Sequence, residues 1–357
     1  MSKGKVLVAM SGGVDSSVTA ALLQDEGYKV SGVYMNVWDE TDKRVTNISK
    51  TCYGPGKDKE AQEARRIGKL LDIPITSINL NPEFTECVLS YFTSEYHQGR
   101  TPNPCVVCNQ KIKFGALIQK ARECGLEFDY FATGHYAKTY FDKKRTRYIL
   151  QRAQDLKKDQ SYFLYRLNQE QLKILLFPLG DYLKADVKKL AVKYGLGLEQ
   201  KKESQNFVDG DYSYLLGETS GAGDFILEDG KVVGRHKGIE FYTIGQRRGL
   251  VISAKEPFYV LRIDKNSNQV VLGKEADLSK KELTAGDINL IAIDSLKQEI
   301  SVSARIRYAS ELSSAKIIPL ENNRVKVIFE KPQKAITPGQ SVVFYDGDVV
   351  VGGGVIE

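Results

Sequence analysis

A chain of 357 residues is too long for one compact core of ordinary size, so about two or three domains are expected. Lys and Arg number 51 against 45 Asp and Glu, a net charge of +6 that permits a nucleic-acid partner without requiring one. No apolar run approaches the roughly 20 residues that cross a bilayer, no signal-peptide core precedes the first strand, and five unevenly spaced cysteines argue against a disulfide framework; a cytoplasmic protein with reduced thiols and no membrane partner is expected.

In chain order, residues 5–9 read as a strand, 16–26 as a helix closed by Gly27, and 28–35 as a second strand. A βαβ start of this kind predicts a parallel sheet with helices on both faces. Residues 39–57 lack periodicity and read as a loop. A charged amphipathic helix over 59–71 and a strand over 73–80 follow. Asn81 as N-cap with Pro82 at the first helical position predicts a helix over 82–98. The next helix covers 111–124, and a short strand over 129–133 delivers Gly134 and His135 to the edge of the sheet where open α/β folds bind ligands. From about residue 209 glycine becomes frequent and alternating runs dominate. The predicted class is therefore α/β: a doubly wound parallel sheet over 1–208, a small central mixed domain over 209–278, and a C-terminal β-barrel over 279–357, the last from short strands near 300–308, 315–320, 324–329 and 342–345.

The turn between the first strand and the first helix carries Ala9, Met10, Ser11, Gly12, Gly13, Val14, Asp15, Ser16 and Ser17. Two glycines let the backbone approach an anion, the serines add hydroxyl donors, and the helix that follows points its positive end at phosphates. Asp15 is the odd member, because a carboxylate beside phosphate repels it unless a cation intervenes; the reading is a Mg²⁺ ligand. No Lys follows the glycines, so this is not the G-x-x-x-x-G-K-[ST] loop. Ser-Gly-Gly-Val-Asp-Ser resembles the PP-loop of the ATP-pyrophosphatase superfamily, of adenine nucleotide alpha hydrolase-like fold. The resemblance implies cleavage of ATP between its α and β phosphates.

A second signal runs from Gly99 to Phe114, with Pro102 and Pro104 stiffening a loop before Cys105 and Cys108. With the helix beginning near Lys111, Cys108 falls close to a helix N-terminus beside Lys111 and Lys113, an environment that lowers a thiol's pKa. A structural zinc site needs four ligands, and no second CxxC or His pair exists. Five basic side chains within 234–249, counting His236, read as a surface for RNA phosphates.

Taken together, Ser11–Ser16, Thr101–Phe114, residues 132–136, 157–164 and 234–249, and Thr337–Gln340 resemble the MnmA-type tRNA-specific 2-thiouridylase family nearly end to end. The resemblance implies an enzyme that adenylates O2 of the wobble uridine and replaces it with sulfur. It implies ATP and Mg²⁺, the anticodon stem-loop of tRNA and an external sulfur donor. It places ATP against Ala9–Ser16, Met35 and Gly134, and tRNA against Asn103, Pro104, Cys105, His135, Lys158, Asp159, Gln160, Arg307, Tyr308 and Gln340. Cys108 takes the place of the family's nucleophilic cysteine.

One departure stands out. The family's second catalytic cysteine is missing, and Asn206 stands roughly where it belongs, in a shortened run from Glu203 to Asp211. Two repairs suggest themselves. Cys105 and Cys108 form the redox pair themselves, or Cys105, Cys108 and Cys52 hold a [4Fe-4S] cluster with one iron open to hydrosulfide. The cluster explains an absent resolving thiol without asking one pair to do everything. Cys87 and Cys124 read as packing residues. A small-molecule adenylating ligase shares the PP-loop but gives no reason for Cys105 and Cys108; an RNA-binding protein without sulfur transfer gives no reason for an intact Ser11–Ser16.

Overall fold

Val6, Leu7 and Val8 are fully buried and form the centre of strand β1 (Lys5–Ala9) in the computed structural model, which describes residues 3–39, 52–198, 207, 212–252 and 256–357. The chain forms two compact units, one of residues 1–88, 105–211 and 348–350, the other of 89–104, 212–347 and 351–357.

In the first unit β1 leads through the serine–glycine turn into α1 (Val14–Asp25). Residues 16–23 of α1 are all buried, as befits a helix without a polar stripe. Next come β2 (Lys29–Asn36), α2 (Lys57–Leu70), β3 (Ile75–Asn79) and α3 (Asn81–Phe84). Helix α2 starts two residues earlier than expected, after Gly56 in the left-handed region at φ 88°, and turns Ala61, Ala64 and Ile67 inward. At α3 the expected cap shifts: the Asn79 side chain accepts the Asn81 N–H at 3.0 Å, so Asn81 is already helical. The turn continues as a π-helical stretch, Thr85–Leu89, and α4 (Ser90–His97) belongs to the second unit.

The largest difference from expectation lies at the cysteines. Helix α5 (Pro104–Val107) begins seven residues before Lys111 and runs on through a π-helical Cys108–Ala116 into α6 (Leu117–Glu123). Pro104 is its first residue, where a missing N–H costs nothing. Cys105 and Cys108 are therefore helical residues, not loop residues.

The first unit continues with β4 (Tyr130–Ala132), a hairpin of β5 (Ala137–Asp142) and β6 (Arg147–Arg152), α7 (Gln169–Ile174), β7 (Leu175–Leu176) and α8 (Lys184–Lys193). Its sheet has the order β3-β2-β1-β4-β7 with every pair parallel. From β1 the chain steps outward to β2 and β3, then returns to β4 on the other side. The switch between β1 and β4 opens a crevice at their carboxyl ends, where the serine–glycine turn and Gly134 emerge.

The second unit holds α9 (Ser213–Leu216) and a four-stranded sheet of β8 (Gly223–Leu227), β9 (Val232–His236), β10 (Tyr259–Asp264) and β11 (Gln269–Gly273), ordered β10-β11-β8-β9. Phe225, Tyr242, Val260, Val270 and Leu272 form its core. Six further strands, β12 (Ser279–Leu290), β13 (Ile300–Arg305), β14 (Ser313–Leu320), β15 (Arg324–Lys334), β16 (Ser341–Asp346) and β17 (Val349–Ile356), close into an antiparallel barrel through the β12–β17 pairing. Closure removes the sheet edges. Its interior is filled by Val302, Ala304, Ile317, Val327, Phe329 and Phe344. Among the described residues no helix is long and apolar enough to cross a membrane. Phe344 is fully buried there, so Phe344→Ala is expected to destabilise the protein by about 3–5 kcal/mol in denaturant titration; a loss under about 1 kcal/mol would contradict this packing.

Candidate active site

The turn after β1 is held open by its own hydroxyls. Ser16 Oγ accepts the Ser11 N–H at 3.2 Å and lies 3.1 Å from Ser11 Oγ, which in turn accepts the Gly13 N–H at 3.3 Å. Ser17 Oγ donates to the Gly13 carbonyl at 2.8 Å, locking the first turn of α1. Gly12 takes φ +68°, and a Cβ there would lie 2.7 Å from the Glu60 carbonyl oxygen, so only glycine fits. Met10 and Val14 are buried, so their side chains belong to the core. Gly134, at the end of β4, closes the other wall: a Cβ there would lie 2.8 Å from Asp15 C and Ser16 N. Met35 is partly buried near the end of β2.

Asp15 already has its cation. Lys184 Nζ, at the start of α8, donates to both Asp15 carboxylate oxygens at 2.7 and 2.8 Å, and the Tyr136 hydroxyl donates to Oδ1 at 3.0 Å. In this structure the Asp15 carboxylate is paired with a lysine. Both partners are themselves positioned by one loop. Gln160 grips Tyr136 twice, its side chain accepting the Tyr136 N–H at 2.9 Å and its own N–H donating to the Tyr136 carbonyl at 2.8 Å. Asp155 Oδ2 accepts the Lys184 N–H at 3.0 Å. Neither Lys184 nor Tyr136 stood among the expected site residues. The sequence offered only a lysine opening a lysine-rich helix and a tyrosine after His135.

The thiols do not behave as expected. Cys105 and Cys108 are half-buried, and burial pushes them up to about 12 and about 11 respectively, against a weaker downward pull from the Lys113 ammonium. The predicted lowering fails because the helix starts at Pro104 and leaves Cys108 in its second turn, away from the terminal N–H groups. Cys52, exposed, acts electrostatically on both, so three thiols share one neighbourhood. Among the described residues no three His, Cys, Asp or Glu side chains already converge as metal ligands do. Cys87 is partly buried, whereas Cys124 is exposed at the end of α6 rather than packed. Asn206 lies outside the described residues.

His135 shares the influence of Lys113 with both thiols. Its Nδ1 lies 2.7 Å from Thr133 Oγ1, and its ring sits between Phe114 and Phe177 at 5.7 and 6.1 Å. Burial, and then the Lys113 charge, holds the imidazole well below its ordinary pKa, so it is neutral. Lys113 therefore acts on Cys105, Cys108 and His135 together, while Gly134, next in sequence, lies against Asp15.

Three family models match: a tRNA methyl transferase HUP domain over 4–208, a tRNA methyl transferase PRC-barrel domain over 213–274, and an aminomethyltransferase beta-barrel domain over 280–356. A protein of Acetivibrio thermocellus named tRNA-specific 2-thiouridylase MnmA is 45% identical over 364 residues, covering 100% of both chains. Its namesake in Clostridium botulinum is 47% identical over 100% of this chain and 99% of its own. A third, from Caldanaerobacter subterraneus, is 48% identical over 99% of this chain and 98% of its own. The chain belongs to the MnmA family.

The positions at which this family was expected to touch tRNA fall into two kinds. Asp159 is buried, accepting the N–H groups of Ala153 and Ser161 at 3.1 and 3.2 Å and the Ser161 hydroxyl at 3.0 Å, with Arg152 at 3.5 Å. It shapes the loop, and its side chain is buried rather than exposed. Lys158, in the same loop, is partly exposed. Asn103 is buried, its N–H donating to the Tyr91 hydroxyl, and Pro104 opens α5. Gln340 donates to the Thr101 and Pro102 carbonyls at 3.0 and 2.9 Å. Arg307 donates to the Ala335 carbonyl, whereas Tyr308 is exposed. In the 234–249 run His236 is buried, bonded to the Asn268 carbonyl at 3.1 Å and to the Gly238 N–H, and burial keeps it neutral. The basic surface there is Arg235, Lys237, Arg247 and Arg248, all exposed.

Gly134→Ala must displace the turn at Asp15, so ATP affinity is expected to fall about tenfold or more in equilibrium titration, an effect of roughly 1.4 kcal/mol; unchanged affinity would refute the close approach. For metal-free protein, Cys108 and Cys105 are expected to react with iodoacetamide at pH 8 about two and about three orders of magnitude more slowly than an ordinary thiol, because the thiolate is the reactive form. The rates rise with pH toward about 11 for Cys108. Rapid labelling of either at neutral pH, followed by peptide mass spectrometry, would show the opposite shift.

Proposed function

We propose that this chain is a tRNA 2-thiouridine synthase. It activates O2 of the wobble uridine with ATP and delivers sulfur to C2, releasing AMP and pyrophosphate. The observation that carries the reading is the pairing of a hydroxyl-lined phosphate turn with thiols that share Lys113 with His135, beside that turn. The names of its relatives point the same way. The words methyl transfer in two domain-model names find less support, since a turn built for phosphates and a CxxC helix suit adenylation and sulfur transfer.

The uridine must leave the anticodon stack for its O2 to be reached. That oxygen attacks the α-phosphorus, the bond to the bridging oxygen breaks, and its electron pair leaves with pyrophosphate. Sulfur then adds to C2, and AMP departs carrying the former O2. Mg²⁺ enters with ATP as part of the substrate, and Asp15 is the turn's own carboxylate for it. His135, neutral and held by Thr133, positions the base without carrying charge.

For the sulfur, hydrosulfide needs no electrons, whereas a persulfide on Cys108 would require Cys105 to supply two and finish as a disulfide. Thiols pushed up to about 11 and about 12 are poor nucleophiles while protonated, yet a metal binds thiolates and deprotonates them. That donor chemistry fits a [4Fe-4S] cluster held by Cys52, Cys105 and Cys108, whose open iron would bind hydrosulfide. The remaining parts of the reading are an external sulfur donor, a cytoplasmic setting and a division into domains at 1–208, 209–278 and 279–357.

Unmodified tRNA, ATP and sulfide incubated with anaerobically purified protein are expected to yield 2-thiouridine and AMP; ADP without thionucleoside would overturn the proposal. Iron and acid-labile sulfide should be present, and lost in Cys105→Ala and Cys108→Ala. An iron-free protein that still thiolates would remove the cluster and leave the cysteine pair.

A further inference from the structure

Lys184 solves a problem posed by the phosphate turn. Residues 9–17 contain one carboxylate and no Lys or Arg, so the turn lacks a cation of its own. In the G-x-x-x-x-G-K loop a lysine directly after the glycines reaches the outer phosphates. Here an ammonium arrives from 169 residues further along the chain.

Its placement is controlled at each end. Asp155 holds the Lys184 backbone N–H at 3.0 Å, and Asp15 holds Nζ at 2.7 and 2.8 Å. Nζ also lies 5.6 Å from the centroid of the Tyr136 ring. The residue is only 9% exposed. A surface lysine would gain little from such a pair. A buried ammonium is costly unless a negative partner is always present. Asp15 supplies that partner while no nucleotide is bound.

We propose that Lys184 is a catalytic residue of the adenylation step, binding the β and γ phosphates and stabilising the pyrophosphate as it leaves. This rests on the adenylation reading above. When uridine O2 attacks the α-phosphorus, negative charge moves onto the bridging oxygen of the departing pyrophosphate. Lys184 remains protonated throughout and donates no proton; it contributes charge where charge develops, inside a site partly shielded from water. Moving toward the phosphates, the ammonium also releases Asp15 for the Mg²⁺ that accompanies them. In the resting state the two side chains hide each other's charge; in the loaded state each meets an ion of the substrate.

The test uses the full chain, inorganic pyrophosphate in metal-free buffer, and AMP formation with tRNA. Lys184→Met is expected to weaken pyrophosphate binding at least tenfold and to lower kcat for AMP by about a hundredfold to a thousandfold, with a smaller rise in KM for ATP. Lys184→Arg, which keeps the charge, should recover part of both. A double variant, Asp15→Asn with Lys184→Met, replaces the ion pair by a neutral one and guards against misfolding of the single variant. If the double variant binds pyrophosphate as well as wild type, Lys184 serves only to neutralise Asp15 and the inference falls. Weak binding in the double variant supports it. A wild-type protein that makes no AMP from tRNA would instead overturn the adenylation reading, because the pyrophosphate titration can be read without it.

Discussion

Everything at the nucleotide turn depends on how one carboxylate is tolerated inside a site built for anions. Asp15 sits in the first turn of α1, where the helix dipole welcomes a negative charge. The same dipole should welcome phosphate, and the two would compete. Lys184 and Tyr136 resolve the conflict by taking up the carboxylate oxygens. Gly134 completes the arrangement, since its missing side chain lets the β4 end press against Asp15 and Ser16. The surroundings of Asp15 are thus assembled from the elements around β1, β4 and α8 rather than from the serine–glycine turn alone.

That assembly extends to the loop between β6 and α7. Gln160 fixes the backbone of Tyr136 and Asp155 fixes that of Lys184, so both partners of Asp15 are set by a stretch of six residues. Asp159 gives the stretch its shape by collecting two N–H groups and a hydroxyl. A buried carboxylate with satisfied oxygens is rigid, because leaving any of those donors unpaired would cost more than the bond contributes. Lys158, on the same stretch, keeps partial access to solvent.

How much of this was legible in the sequence follows from distance along the chain. The Ser11–Ser17 turn could be read because its bonds are local, none among its hydroxyls spanning more than five residues. The parallel sheet and the closed barrel were readable from periodicity and turn residues. Lys184 was not, because nothing around it distinguishes a lysine facing Asp15 from one facing water. His236 was misread for the opposite reason: a basic residue type inside a polar motif suggested a surface, whereas the fold buries it with its partners, as it also buries Asp159, which only the resemblance had placed against tRNA. The cysteine helix was misplaced because two prolines suggested an extended loop. Pro104 is equally at home as a first helical residue, and the apolar Val106 and Val107 that follow it are buried.

The second unit shows the same preference for backbone control over direct reach. The Gln340 amide nitrogen is committed to the carbonyls of Thr101 and Pro102, and the Thr101 N–H donates to the Pro338 carbonyl at 2.9 Å. Gly339, at φ +88°, leaves no room for a Cβ, which would lie 2.8 Å from the Thr101 carbonyl oxygen. Residues 99–104 are therefore pinned from one side by the turn before β16, and Pro104 ends that segment one residue before Cys105. A polar side chain whose nitrogen already serves two carbonyls contributes to recognition mainly through the loop it shapes. Tyr308, Lys237 and the arginines at 235, 247 and 248 are exposed in this unit, and they carry charge and aromatic surface of the kind that suits phosphates and unstacked bases.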